Sequence, residues 1–409
     1  FILALVWLIA GAGTGAFGLV YNLLRVQGAR TSSIILGLVA AFAVPVAGTL
    51  TIGLEVAHAN NIGRPEFWQW LDVRDLNEAP LPESMPRYEG SSWWWWRSSR
   101  PLHEYHLSGR SEEGLEPIAE FPGFSFVLGD LHAHVLALPF AFLSLALALA
   151  WWLPRGPGTG KEDDPLAKWH NEGFTDHFQS LINHAGLPLW LSSALLLGGL
   201  AFLNTWDVLI HLFVILGAFL LARWRDKGWN SHILTQTIFV AVLLLIPAFL
   251  LYLPFFLGFR SQAGAPYLLP MFMRPTRLVQ WLIIFGMPMW AIVIFLVALV
   301  SRQRFRYWQT GLITALILLV ALFAAALLFG FIVAISAEGA GWVTSLAGEL
   351  GITLSQRPDQ TIAIGWGLSS LWALLPTYLN ARINYAALTL VLAAIVGMVV
   401  MVWRETLGS

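Results

Sequence analysis

The sequence predicts an all-α polytopic membrane protein with about nine to ten transmembrane helices. Of its 409 residues, 57% are hydrophobic and only 11% are charged, whereas charged residues make up about a quarter of a soluble domain. The apolar residues also fall in long runs, and a hydrocarbon core about 30 Å thick needs about 20 such residues per helix. We therefore expect lipid, rather than water, to surround most of this chain.

Nine runs are long and apolar enough to be spans. They lie at residues 1–24, 33–53, 125–153, 188–204, 207–224, 234–258, 278–300, 309–336 and 386–403. Only Asn204-Thr205-Trp206 separates the fourth run from the fifth, which predicts a tight helical hairpin. A tenth stretch, 362–379, is apolar but contains Pro376, so it can be a span, a re-entrant segment or an interfacial segment. Because the first run already begins at Phe1, we expect residue 1 to be a fragment start.

Basic residues predict the orientation, because short cytoplasmic loops retain Lys and Arg. Alternate loops are basic, and they carry Arg25, Arg30, Arg155, Lys161, Lys168, Arg223, Arg225, Lys227, Arg302, Arg304, Arg306 and Arg404. The outer face then receives 54–124, 204–206, 259–277 and 337–385. We expect one transmembrane domain over 1–409 in the plasma membrane, with 54–124 as an extracytoplasmic loop. Trp93 to Trp96, followed by Arg97, predict interfacial helices inside that loop.

Composition and missing motifs exclude several classes of function. The formal net charge is −1, so no basic excess indicates nucleic acid as a partner. The sequence has no cysteine, which removes disulfides, thiolate metal ligands and cysteine nucleophiles. It has no phosphate-binding glycine loop, dinucleotide fingerprint or Gly-x-Ser-x-Gly elbow, so soluble nucleotide and serine-hydrolase chemistry lack support. His103 and His106 have the spacing of zinc ligands but no evident partners.

The most specific local motif is Gly129-Asp130-Leu131-His132-Ala133-His134, where the third run enters the membrane from the outer face. Ionisable residues are costly to place in a span, so by default they mark a functional site. On a helix Asp130 and His134 share one face, and in an extended segment all three polar side chains share one side. Either geometry can hold a cation or a phosphate. The alternative is that these residues only cap the helix.

Asp207 and His211 form a second polar pair, one turn inside the fifth run from the same face. With Asp130, His132 and His134 they could ligate a divalent metal (Mn, Mg or Zn), and histidine ligands favour Zn or Mn over Mg. The alternative is that Asp207 is the N-cap of its helix and His211 a hydrogen-bonded core histidine.

Glu55 is a candidate catalytic base. It lies just past the second run, with His58 three residues further on. A carboxylate in this place can take a proton from an acceptor hydroxyl, particularly if burial raises its pKa. The alternative is an ordinary solvated loop acid. Asp130 is the second candidate for the same role.

Basic side chains at the outer face are candidates for binding phosphate. They are Arg97, Arg100, Arg260, Arg274 and Arg277. We favour Arg260, with Gln262 and Arg97 as further donor-phosphate ligands, because Arg260 directly follows an apolar span and a guanidinium binds phosphate oxygens in pairs. The competing explanation is snorkelling toward lipid headgroups.

Five motifs follow one another in a fixed order along the chain. They are Trp93-Trp94-Trp95-Trp96-Arg97-Ser98-Ser99-Arg100, Glu120-Phe121-Pro122-Gly123-Phe124-Ser125-Phe126, Gly129-Asp130-Leu131-His132-Ala133-His134, Asn204-Thr205-Trp206-Asp207, and Tyr252-Leu253-Pro254-Phe255 through Arg260-Ser261-Gln262-Ala263-Gly264. Over about residues 50 to 290 this series resembles the largely uncharacterised Chlor_Arch_YYY membrane-protein family. The chain departs from that family at Ala133, where Pro is common, and it lacks the tyrosine-rich signature downstream of residue 300.

The resemblance implies a fold and an activity. That family is grouped by fold with the GT-C glycosyltransferases, which move a sugar from a polyprenyl-phosphate carrier to an acceptor at the outer membrane face. The resemblance therefore implies a GT-C-like fold and catalysis around the first large outer loop. It implies that Glu55 stands where the acidic base is usual, and that His132 and His134 belong to the motif that closes the loop.

We therefore favour an outer-face glycosyltransferase that uses a polyprenyl-phosphate-linked sugar. In this hypothesis Glu55 or Asp130 is the base. His132 and His134 bind donor phosphate or a divalent cation, and Arg260 stabilises the leaving phosphate. The partners would be membrane lipids, the lipid-linked sugar and an unidentified acceptor. A transporter or flippase is the alternative, although its ionisable residues should be spread through the bilayer depth. A structural membrane subunit is the third possibility.

Overall fold

The computed structural model describes residues 2–77, 94–111, 117–129, 131–153, 178–179, 181–182, 185–260, 272–352 and 363–408. Within these ranges the chain forms helices and turns, with β-pairing only at isolated bridges. Two compact units share the chain. Unit 1 comprises Phe1–Ala47 and Pro122–Gln262, and unit 2 comprises Gly48–Phe121 and Ala263–Ser409. That 1–409 acts as one transmembrane domain stays a prediction.

The helices are numbered in chain order. They are α1 (Ile2–Val26), α2 (Thr31–Val46), α3 (Thr51–Ala59), α4 (Pro65–Leu71), α5 (Trp94–Ser98), α6 (Pro122–Leu128), α7 (Ala133–Trp152), α8 (Leu187–Leu203), α9 (Asp207–Lys227), α10 (Ser231–Leu251), α11 (Leu253–Gly258), α12 (Leu278–Arg302), α13 (Trp308–Ala334), α14 (Ala337–Glu349), α15 (Ala363–Asn384) and α16 (Ala386–Gly408).

The predicted all-helical, multi-pass architecture is confirmed. Among the described residues, seven helices are long and apolar enough to cross a membrane: α1, α7, α9, α10, α12, α13 and α16. An eighth span results if α2 and α3 count as one broken helix. The remaining predicted run corresponds to α8, an apolar helix of 17 residues.

Three of the predicted runs are broken rather than continuous. The run 33–53 is interrupted between α2 and α3, where Pro45 removes a backbone donor in the last turn of α2. The run 125–153 is interrupted after α6, where Gly129 has a φ of 72° that glycine adopts without strain. The run 234–258 is interrupted at Tyr252, which leaves helical geometry before the short α11.

The stretch 362–379, in contrast, is continuous although its sequence left a broken segment open. It belongs to the continuous helix α15, which runs through Pro376 to Asn384. With 22 residues this helix is long enough for a span, but it is not apolar enough. It packs instead against α14 and the end of α13, in a cluster that includes Ala334, Val343 and Tyr378.

Small residues allow close helix packing in unit 1. A Cβ added at Gly13 of α1 would lie 3.1 Å from the carbonyl oxygen of Ala41 in α2, and one at Gly11 would lie 3.2 Å from the Pro139 ring in α7. Such small-residue contacts are typical of helices that associate in lipid. Further along α7, the Trp151 indole donates to the Ser193 hydroxyl of α8 at 3.0 Å.

In unit 2, the spans α12 and α13 each pack against α16. Helices α13 and α16 are nearly in backbone contact, because a Cβ added at Gly397 would lie 2.6 Å from the carbonyl oxygen of Gly311. The short helix α4 packs on the start of α12, where the fully buried Trp68 shares a cluster with Ile283.

Short backbone pairings join three distant segments of unit 2. The Leu107 amide donates to the Phe272 carbonyl at 2.6 Å, and the Arg274 amide donates to the Tyr105 carbonyl at 2.9 Å. The Arg74 amide donates to the Pro101 carbonyl at 2.9 Å. These bonds bring the end of α4, the segment around residues 101–107 and the residues before the start of α12 into contact.

Candidate functional site

A cavity of about 640 Å³ lies at this junction in unit 2. Its polar lining includes Asp72, His103, Tyr105, Arg274, Arg277 and Gln280. Arg277 and Tyr385, which also lines the cavity, directly precede the spans α12 and α16. The cavity therefore lies at the ends of two membrane-spanning helices, and its volume is in the range of small-molecule sites.

Asp72 is the central acid of the cavity. It ends α4 in a left-handed conformation with φ 56° and ψ 47°. The Tyr105 hydroxyl donates to its Oδ1 at 3.1 Å, and the Gln280 amide donates to its Oδ2 at 3.3 Å. Burial, and then the neighbouring Asp72 carboxylate, raise the pKa of Tyr105. The phenol therefore stays protonated and keeps its hydrogen bond to Asp72 at neutral pH.

His103 and Asp72 form a histidine–carboxylate pair. The Nδ1 atom of His103 lies 3.2 Å from Oδ1 of Asp72. We assign the proton to Nδ1 when the ring is neutral, because a carboxylate accepts a hydrogen bond there. The Nε2 atom of His103 is then the ring nitrogen left to accept a proton from a substrate.

Two arginines give the cavity a positive side. The Arg277 guanidinium carbon lies 5.0 Å from the Trp70 ring centroid, and that of Arg274 lies 5.9 Å from the Tyr105 centroid. Gly109 has a φ of 94°, and a Cβ added there would overlap the Arg274 guanidinium. Because helix N-termini also carry partial positive charge, the starts of α12 and α16 add to the attraction of an anion.

Glu55 and Arg97, both predicted site residues, contact each other in unit 2. Nε and Nη2 of Arg97 donate to the two carboxylate oxygens of Glu55 at 3.0 and 2.8 Å. Glu55 is 7% exposed, so the alternative of a solvated loop acid is wrong. The roles of Glu55 as a base and Arg97 as a phosphate ligand stay predictions, but each group already has the other as its partner.

The predicted histidine motif lies in unit 1 at the start of α7. His132 is the N-cap residue and His134 lies in the first turn, and their ring centroids are 5.8 Å apart. Nε2 of His134 lies 3.2 Å from the Ser125 hydroxyl of α6. Both histidines are exposed. Asp130, between the two helices, lies outside the described residues.

Asp207 and His211 lie in the first turns of α9, at the same end of unit 1 as the histidine motif. Helices α7 and α8 are antiparallel, because Trp151 contacts Ser193 while Ala137 shares a cluster with Leu200. The turn at 204–206 reverses the chain again, so α7 and α9 begin at the same end. That the two polar groups lie at the same depth in a membrane, and together form one site, stays a prediction.

A metal site is not assembled by the part of the chain that the structure describes. Within it, no three His, Asp or Glu side chains come close enough together to hold an ion. The predicted set includes Asp130, so the divalent metal stays a prediction. Arg260 is exposed beyond α11, and Gln262 lies outside the described residues.

The cavity residues differ from the set that the sequence singled out. Arg274 and Arg277 were visible as outer-face arginines, and His103 as a histidine without evident partners. Asp72, Tyr105 and Gln280 carried no signal, because Asp72 meets these two partners across 33 and 208 residues of sequence. Trp70, at the end of a short amphipathic segment, gave no sign that an arginine would stack on it.

Comparison with models of known protein families identifies the family of this chain. The model of one family, described as "Uncharacterized membrane protein (DUF2298)", matches residues 1–407. No curated protein and no solved structure matches the chain. Since the family model covers almost the whole sequence, and the described residues include several helices apolar enough to span a membrane, the chain belongs to the DUF2298 family of uncharacterized membrane proteins.

Proposed function

We propose that this protein is a membrane glycosyltransferase of GT-C type, which transfers a sugar from a polyprenyl-phosphate-linked donor to an acceptor. The main observation that supports this proposal is the cavity of unit 2, which combines a histidine–carboxylate pair with two arginines at the ends of two spans. The sequence resemblance to the Chlor_Arch_YYY family supports the same proposal. In it, the cavity rather than the histidine motif of unit 1 holds the reacting groups.

Arg274 and Arg277 would bind the donor phosphate. A guanidinium donates paired hydrogen bonds to phosphate oxygens, and each of the two lies within cation–π distance of an aromatic ring, Tyr105 or Trp70. The cavity borders the first turns of α12 and α16. A polyprenyl chain can therefore stay in the hydrocarbon region while its phosphate reaches the arginines.

His103 would be the general base. The acceptor hydroxyl gives its proton to Nε2 of His103, and its oxygen forms a bond to the anomeric carbon of the sugar. The bond between that carbon and the phosphate oxygen breaks, and the phosphate leaves with the electron pair. Asp72 holds the imidazole and stabilises its protonated form, while the arginines stabilise the phosphate charge.

The predicted topology supports this location. The cavity is lined by residues from 69–72, 102–105, 117, 273–280 and 385. Nearly all of them come from the three long segments that the loop charges assign to the outer face, which is where polyprenyl-phosphate sugars are used by GT-C enzymes. The outer orientation is part of the proposal.

A binding experiment tests the donor site. We expect undecaprenyl phosphate to bind the purified chain in nanodiscs, and the Arg274→Gln/Arg277→Gln variant to bind at least about 100-fold more weakly, since each charged hydrogen bond contributes about 1.5–3 kcal/mol. Microscale thermophoresis with a soluble short-chain analogue gives the dissociation constants. Arg64→Gln, which removes an exposed arginine away from the cavity, is the control.

Two outcomes contradict the proposal. If undecaprenol without phosphate binds as tightly, the cavity does not recognise phosphate. If the double variant binds like the control, the phosphate lies elsewhere, and Arg260 becomes the next candidate. Movement of a labelled lipid between leaflets, with no release of its sugar, would favour the transporter.

Gly109 provides a second test of the same arginine. Gly109→Ala should weaken phosphate binding about tenfold, because the new methyl group overlaps the Arg274 guanidinium and the backbone stays at positive φ. Gly351→Ala is the matched control, since Gly351 has a φ of 69° but nothing within 4 Å of an added Cβ. Equal binding by the two variants would show that the position of Arg274 does not matter.

A further inference from the structure

The turn between α12 and α13 carries a dense basic patch. Its sequence is Arg302-Gln303-Arg304-Phe305-Arg306-Tyr307-Trp308, and Arg404 of α16 lies beside it. We name Arg302, Arg304, Arg306 and Arg404 the arginine patch. All four are exposed, and within the described residues none of them forms an ion pair.

Two of the four arginines share one aromatic ring. The guanidinium carbons of Arg306 and Arg404 lie 5.4 and 5.5 Å from the centroid of the Tyr307 ring. Arg404 also donates to the Thr310 hydroxyl at 2.8 Å. Helix α16 therefore adds a fourth arginine, Arg404, to the three arginines of the turn.

The backbone of the turn is tightly folded. Arg304 and Phe305 both have positive φ, at 50° and 56°. The Arg304 amide donates to the Ser301 carbonyl at 3.0 Å, and the Arg306 amide donates to the Gln303 carbonyl at 3.1 Å. The three turn arginines are therefore kept within a few residues of the ends of two spans.

Two exposed aromatic side chains favour the membrane interface as the location of this turn. Phe305 is 54% exposed and Trp308 is 53% exposed. Aromatic side chains of this kind, next to the end of a span, prefer the level of the lipid headgroups. At that level the abundant anions are phosphates, and a guanidinium binds them with charge-assisted hydrogen bonds.

We propose that the arginine patch is a binding site for the phosphate of anionic phospholipids in the adjacent leaflet. It lies at the opposite end of α12 and α16 from the cavity, so the proposal does not depend on the proposed transferase activity. Glu405 is the one acidic residue adjacent to the patch in sequence. The net charge of the site therefore stays positive.

Native mass spectrometry of the full chain tests this site. We expect the delipidated protein to retain phosphatidylglycerol in preference to phosphatidylcholine. The Arg306→Gln/Arg404→Gln variant should weaken phosphatidylglycerol binding about 30-fold, since each arginine near an anionic surface contributes about a factor of five. Arg302→Gln/Arg304→Gln should have a similar effect without removing the contacts to Tyr307, which separates lipid binding from any loss of folding.

The control is Arg25→Gln/Arg30→Gln, which removes two exposed arginines at the end of α1 and the start of α2. An equal loss of lipid in this variant would overturn the proposal, because binding would then reflect diffuse surface charge. Equal retention of the two lipids would also overturn it. Full displacement of phosphatidylglycerol by inorganic phosphate would assign the patch to a free anion instead.

Discussion

Asp72→Asn should lower the turnover of sugar transfer by up to about 10²–10⁴-fold, the range that the general base itself contributes, because His103 depends on Asp72 to act as that base. The amide cannot stabilise a protonated His103 as a carboxylate does. Asparagine also tolerates the left-handed conformation that Asp72 adopts, so the backbone should not change. The measurement is release of polyprenyl phosphate from polyprenyl-phosphate hexoses, by mass spectrometry of native membranes.

Asp75→Asn is a matched control for this prediction. Asp75 lies three residues further on, is exposed, and has a φ of 60°. It does not line the cavity. Transfer by Asp72→Asn at the level of Asp75→Asn would show that the histidine–carboxylate pair is not catalytic. A loss in Glu55→Gln alone, with stability unchanged, would return the role of base to Glu55.

Arg97→Met should lower the free energy of unfolding by about 3 kcal/mol. It leaves the Glu55 carboxylate buried without the two hydrogen bonds that Arg97 now donates. Reversible unfolding in mixed micelles, followed by tryptophan fluorescence, gives the free energy. The double variant Glu55→Gln/Arg97→Met should recover part of the loss, because no unpaired charge remains.

Arg64→Met is the control for this second prediction. Arg64 is exposed at the start of α4, and within the described residues it has no ion-pair partner. If Arg97→Met unfolds with the same free energy as Arg64→Met, the pair contributes nothing to stability. Arg97 would then be free to act on a substrate, as the sequence alone suggested.

The spans could be predicted from sequence because lipid imposes one simple requirement on them. A run of apolar residues of sufficient length must become a helix, and α9 and α12 begin at the predicted residues, Asp207 and Leu278. The breaks were harder to predict. Tyr252 interrupts a run whose composition is apolar on both sides. Gly129 is followed by polar residues, but hydropathy alone does not report that the backbone leaves the helix there.

The candidate site was less predictable because its contacts are not local. Glu55 and Arg97 were each chosen from sequence as groups that would act on a substrate, yet in the structure they bind each other across 42 residues. Asp72, which the sequence did not single out, also has its hydrogen-bond partners in two other segments of the chain. A single sequence shows which side chains are ionisable, but not which of them neutralise one another.

The distance in sequence between Asp72 and Gln280 bears on the biosynthesis of the protein. These residues are 208 positions apart, so at about 5–20 residues per second the ribosome adds Gln280 roughly 10 to 40 s after Asp72. The Glu55–Arg97 contact needs only the early segment and can form first. During that interval the Glu55–Arg97 ion pair can already be formed, whereas Asp72 still lacks the Gln280 amide as a hydrogen-bond partner. An arrest of translation before α12 would therefore release a chain in which the cavity is incomplete.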